Sequence, residues 1–114
     1  GTTYGGQPFA AAAAAAVLRI MERDALPDRA ETVGCRLRAR LEAVPAVTAV
    51  RGRGLLLAVE LEAGRDARVV QAELLRRGLV TNAVTPTAIR LAPPLTVSED
   101  ELEEAVALIA EVLA

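Results

Sequence analysis

The apolar positions of this chain change their period several times, and each change marks an element. Over residues 8–24, seven consecutive alanines run into Val17, Leu18, Ile20 and Met21. The composition favours helix, and the leading Pro8 suits a first helical turn, where its missing N–H has no partner to lose. So many small side chains predict close packing of this helix against a neighbour. "ALPDRAE" interrupts it. Ala30, Val33, Leu37, Leu41 and Val44 then recur at spacings of three and four, which places them on one face of a second helix over 28–44, with Asp28 as N-cap. Pro45 ends that run. "AVTAVRGRGLLLAVEL" reads as two strands, 47–51 and 55–61, joined at glycines. The second strand is apolar on both faces, so it is predicted to be central.

Farther on, Val69, Val70, Leu74 and Leu75 mark a short amphipathic helix over 66–77, with Gly78 as its C-cap. Residues 79–82 and 88–91 read as two more short strands. Ser98 and Glu101 have the spacing of a capping box, and the last helix carries Leu102, Val106, Ile109 and Val112. This order predicts an α+β fold: a small, mainly antiparallel sheet covered by helices.

Composition narrows the chemistry. The 114 residues match one small domain, and a domain of that size buries about two thirds of its unfolded surface. Apolar residues make up 53% of the chain and aromatic ones 2%, so the core has to be aliphatic. A net charge of −2, with no basic run and almost no rings for base stacking, speaks against nucleic acid as a partner. No uncharged apolar run reaches the roughly 18 residues of a membrane span, and no signal-peptide pattern is visible. The lone Cys35 cannot form an intrachain disulfide, so a cytoplasmic location is expected. Cys35 lies near the buried stripe of the second helix and is read as packing. Histidine and lysine are both absent, and all 13 cations are arginine. That removes the commonest general base and metal ligand, and the side chain that condenses with carbonyl cofactors. No catalytic residue and no metal site are expected in this chain.

Individual motifs leave alternatives open. "GTTYGG" places hydroxyls and glycines ahead of a helix N-terminus, which suits either an anion site or a flexible leader. In "VRGRGL", Gly52 and Gly54 permit a tight hairpin beside Arg51 and Arg53, a structural reading. In "TAIRLAPPL", Arg90 is either a solvated arginine on a strand's outer face or a rigidly held fork for a carboxylate. The acidic run over 99–104 complements a helix dipole and is read as a solvated face.

Taken in order, "GTTYGGQPFAAAAAAAVLRIMERD", "VRGRGLLLAVEL" and "GLVTNAVTPTAIRLAPPLTVSEDELEEAV" resemble the C-terminal portion of the acetylornithine aminotransferases. These belong to the ornithine and 4-aminobutyrate aminotransferase family, which uses pyridoxal phosphate. The resemblance spans essentially the whole chain and implies the C-terminal small domain of such enzymes. Residues 1–7 would be an interface and phosphate-contact loop, 8–24 a connecting helix, and 25–114 the small domain. It implies that Thr3 hydrogen-bonds the cofactor phosphate of a neighbouring subunit, that Thr2 lies beside the substrate, and that Arg90 grips a substrate carboxylate. Gln7 departs from the asparagine usual before that proline.

The resemblance further implies a homo-oligomer, a dimer in the family, and a large N-terminal domain that supplies the cofactor-binding lysine. On this resemblance the parent enzyme's reaction would move an amino group from N-acetylornithine to 2-oxoglutarate in arginine biosynthesis. A chain without lysine is expected to be inactive alone and to hold no cofactor. Because a domain seldom begins inside such a loop, the chain is expected to be a fragment. The alternatives are a stand-alone, non-catalytic binding module with the same fold, and one half of a split enzyme. Apolar surface left uncovered by a missing domain predicts self-association, or an N-terminal loop displaced from its enzyme position.

Overall fold

The computed structural model describes residues 1–114. Its elements run α1 (Pro8–Arg23), α2 (Leu26–Glu42), β1 (Val47–Arg53), β2 (Leu56–Leu61), α3 (Ala67–Arg76), β3 (Asn82–Thr85), β4 (Ala88–Leu91) and α4 (Glu99–Leu113). All strand pairs are antiparallel, in the order β1-β2-β4-β3. The predicted α+β class is therefore correct, and β2 is central.

Alternation explains how the sheet takes its cover. Leu57, Val59 and Leu61 of β2 turn one way, with Val50 of β1 and Ile89 and Leu91 of β4 on the same side. They meet Val33, Leu37 and Leu41 of α2, Val70 and Leu74 of α3, and Leu102, Ile109 and Leu113 of α4. The core is wholly aliphatic and contains no buried polar or charged side chain. Arg36–Glu99 and Arg40–Glu103 ion pairs, each at 2.8 Å, fasten α2 to α4 along the rim.

One backbone approach sets how α2 lies on the sheet. A Cβ on Gly34 would sit 2.1 Å from the Gly54 carbonyl oxygen, so the helix rests directly on the tip of the β1–β2 hairpin. Gly54 itself takes φ +53 in the two-residue connection between Arg53 and Leu56. Gly34 thus makes a contact that no larger residue at its position permits, and Gly54 supplies the left-handed turn that brings its carbonyl there.

The structure corrects three expectations. Asp28 is not the N-cap of α2: that helix begins at Leu26 behind Ala25, which adopts φ 47. Pro27 presets the first turn, and Asp28 becomes its acidic residue instead. The strand expected over 79–82 lies later, at Asn82–Thr85. The Leu79 N–H bonds the Leu74 carbonyl at 2.9 Å and the Gly78 N–H bonds Leu75 at 3.0 Å, a Schellman closure of α3 that delays the strand. Cys35 is exposed rather than packed, its sulfur 4.0 Å from Glu31 Oε1. One helical position from Gly34 is enough to turn it outward.

The first helix differs from the rest. α1 buries none of its residues, and its packing contact is with α2. The neighbour predicted for its alanine face is not supplied by this chain. The molecule is accordingly elongated, 49 × 31 × 23 Å.

Candidate functional site

The uncovered face of the sheet collects the charged side chains. On β4, Ile89 and Leu91 face the core, so Arg90 points to the opposite side. Register places Arg51, Ala58, Arg90 and Asn82 in one row across the four strands. Glu60 stands in the next row, between Ala49 and Ala88. Arg51 forms an ion pair with Glu60, and Thr87 Oγ1 donates to Glu60 Oε2 at 3.3 Å. Arg90 is exposed and forms no ion pair. With Arg53 on the same face, opposite Leu56, three guanidinium groups stand against one carboxylate. The face is biased toward anions.

Its rigidity has local causes. After β4 the chain passes through Pro93-Pro94, whose nitrogens cannot donate. Arg29 of α2 reaches across and donates to both the Leu95 and Val97 carbonyls. Val97 N–H bonds the Pro94 carbonyl at 3.0 Å. Ser98 and Glu101 then close a full capping box: Ser98 Oγ accepts from the Glu101 N–H at 3.2 Å, and Glu101 Oε2 accepts from the Ser98 N–H at 2.8 Å. The Ser98 backbone N–H, and then the Ser98 hydroxyl, which donates to Glu101 Oε2 at 2.7 Å, hold the Glu101 carboxyl below its usual range. At the other edge, Arg38 donates to the Val50 and Gly52 carbonyls at 2.8 and 2.6 Å. Sequence reasoning missed Arg29 and Arg38, since nothing local separates them from Arg36 and Arg40, which form ordinary ion pairs.

Two hollows flank this region. One of about 560 Å³ is lined by Asp28, Glu31, Arg53, Leu56 and Pro93, among others. The other, about 330 Å³, lies behind the prolines and is mostly apolar, with Leu79, Leu91, Leu102 and Ile109 in its wall.

The N-terminal loop forms a separate place. Gly5 N–H bonds the Thr2 carbonyl at 3.2 Å, Gln7 N–H bonds the Tyr4 carbonyl at 3.3 Å, and Thr2 Oγ1 accepts from the Tyr4 N–H at 3.2 Å. Every one of these bonds is internal to the loop. Thr2 and Thr3 are exposed, and no hydrogen bond joins them to Arg90 or its strand. The structure does not assemble the three candidates into one site. Thr3, just ahead of the α1 N-terminus, suits a single contact to an oxyanion. No side chain here can condense with an aldehyde, since lysine is absent. No group of three or more His, Cys, Asp or Glu side chains is placed to hold a metal ion. No helix is long and apolar enough to cross a membrane.

Comparison with known proteins gives this arrangement a context. The aminotransferase class-III family matches residues 1–113. The chain is 45% identical over 115 residues to the acetylornithine aminotransferase of Mycobacterium tuberculosis, covering 99% of this chain and 28% of that protein. It is 40% identical to an ornithine aminotransferase of Exiguobacterium, covering 100% of this chain and 28% of that one. Among solved structures, the acetylornithine aminotransferase from Elizabethkingia anophelis has a TM-score of 0.88 at 34% identity, covering 99% of this chain and 31% of that chain. An ornithine aminotransferase from Toxoplasma gondii, at TM-score 0.82 and 33% identity over 99% of this chain and 28% of that one, is described with partial occupancy of PLP at its active site. The chain thus spans under a third of the length of these relatives. Sequence and fold agree that it belongs to the class-III aminotransferase family.

Proposed function

We propose that this chain is the C-terminal part of a pyridoxal-phosphate aminotransferase that transfers an amino group from N-acetylornithine to 2-oxoglutarate. The chain alone is inactive. In this reading the rest of the enzyme is a large, lysine-bearing N-terminal domain, and the working unit is a cytoplasmic homodimer active in arginine biosynthesis. The observation that carries it is Arg90: an exposed arginine without an ion-pair partner, on a short strand stiffened by Pro93-Pro94. Among relatives named for acetylornithine and ornithine, that is the feature expected of a carboxylate fork.

The residues fit the cofactor only in part. Thr3 suits one hydrogen bond to its phosphate, from the loop of a neighbouring subunit. Pyridoxal phosphate, when bound, supplies the aldehyde that carries the amino group between donor and acceptor. Nothing in this chain fits its covalent attachment, since the sequence has no lysine. Within the enzyme, Arg90 would orient the substrate by its carboxylate and Thr2 would lie beside it. Residues 1–7 would then be the interface loop, 8–24 the connecting helix, and 25–114 the small domain.

The complete aliphatic core favours a second reading, a stand-alone non-catalytic module. A split enzyme, with the lysine-bearing part on another polypeptide, is the third. Reading the coding DNA ahead of Gly1 separates them. An open frame encoding a lysine-bearing domain is expected. A stop codon there supports the module, and a separate complementary gene supports the split enzyme. The inactivity is tested by mixing the purified chain with pyridoxal phosphate, N-acetylornithine and 2-oxoglutarate. Glutamate formation by this chain alone would sink it.

A further inference from the structure

The open face sets one carboxylate between two arginines. Arg51, Ala58 and Arg90 share a cross-strand row, and Glu60 lies in the adjacent row on the central strand β2. Glu60 is therefore diagonal to both arginines, a separation of about 7–8 Å that long side chains span. Ala58, the residue between the arginines, is too small to block either approach. Glu60 engages Arg51 alone, and its second oxygen accepts from Thr87 Oγ1. The Glu60 side chain is only 19% exposed, so its charge requires a partner wherever it turns. The other charged residue on this face is Arg53 of β1, while β3 contributes the uncharged Asn82 and Thr85.

We infer that Arg51 is a positioning residue: by holding Glu60 it keeps that carboxylate off Arg90, and so leaves Arg90 open to an incoming carboxylate. The inference rests on the proposed role of Arg90 and adds to it the device that keeps the fork vacant. Without Arg51, the carboxylate closest to Arg90 in the sheet becomes an internal competitor for the ligand.

Glutarate serves as probe, with the 114-residue chain at low ionic strength. In the unsubstituted chain, glutarate shifts the Arg90 side-chain N–H resonance, and Arg90→Ala abolishes the heat of glutarate binding in calorimetry. Arg51→Ala weakens the apparent affinity about two- to fivefold, the worth of an exposed ion pair. Its crystal structure shows Glu60 turned onto Arg90. Arg51→Lys retains the original response, and the Arg51→Ala/Glu60→Gln double variant restores it. A merely structural role for Arg51 would not be rescued by neutralising Glu60. An unchanged glutarate response in Arg51→Ala, or Glu60 pointing elsewhere in its crystal structure, overturns the inference. Failure of glutarate to move the Arg90 resonance in the unsubstituted chain overturns the carboxylate reading instead. The Arg51→Ala crystal structure then still decides where Glu60 goes.

Discussion

The helices α1 and α2 meet opposite fates, and apolar content does not explain which. α1 reads PFAAAAAAAVLRIMER and buries nothing, whereas α2, with four arginines and three acids, buries Leu26, Ala30, Val33, Gly34, Leu37 and Leu41. What differs is arrangement. The apolar residues of α2 form one stripe, and charged residues occupy the remainder. α1 is apolar nearly all round, the pattern of a helix built to be enclosed, yet Val17, Leu18 and Ile20 stand 55%, 64% and 43% exposed. Periodicity tells which residues want cover; only the rest of the structure tells whether cover is there.

Substitutions sharpen that contrast, beginning with the core. Leu41 is completely buried, and Leu41→Ala is expected to cost about 2–5 kcal/mol in urea unfolding. Gly34→Ala comes next. It adds a methyl group against the Gly54 backbone, and the overpacking should outweigh alanine's better helix propensity, for a net loss of about 1–3 kcal/mol. Ser98→Ala removes one partner of the capping box, at about 1 kcal/mol.

A smaller effect should follow acid. Hydrogen bonds from Arg76, then Arg77, hold the Glu73 carboxyl down at about 2 instead of 4.5, and Arg77 also bridges to Glu111 on α4 at 3.0 Å. A carboxyl depressed in the folded state stabilises above its unfolded value and loses that contribution as protons bind. The melting midpoint should therefore fall as pH drops from about 4.5 to about 2. Solvent screening keeps the decline shallow, and Glu73→Gln should flatten it. Smallest of all is Val17→Ala on α1, expected within about 0.5 kcal/mol of the parent. A loss there equal to that of Leu41→Ala would abolish the distinction between the two helices.

Features that depend on near neighbours were legible in the sequence. The capping box at Ser98, the Gly78 turn and the stripe of α2 are all fixed within one or two helical turns. The Asp66 cap of α3, which accepts from the Arg68 N–H at 2.8 Å, is equally local but was not among the expectations. Boundaries failed where a local bond competed with the expected element. The Leu79 N–H, spent on closing α3, pushed β3 toward Thr85, and Pro27 moved the start of α2 ahead of Asp28. Long-range roles were illegible for a different reason. Arg29 serves carbonyls 66 and 68 residues away, and no spacing rule reaches that far. The outward turn of Arg90 could be read from alternation with Ile89 and Leu91. Its freedom from Glu60 could not, because that depends on the register of three strands.

The aliphatic core has a practical consequence for anyone watching this chain unfold. It has no tryptophan and a single tyrosine, and Tyr4 sits in the N-terminal loop with 76% of its surface in water. Ultraviolet absorbance and intrinsic fluorescence therefore sample the loop, while the packed body stays optically silent. A melt followed at those wavelengths would miss the cooperative transition, and far-ultraviolet circular dichroism is the signal that follows the fold.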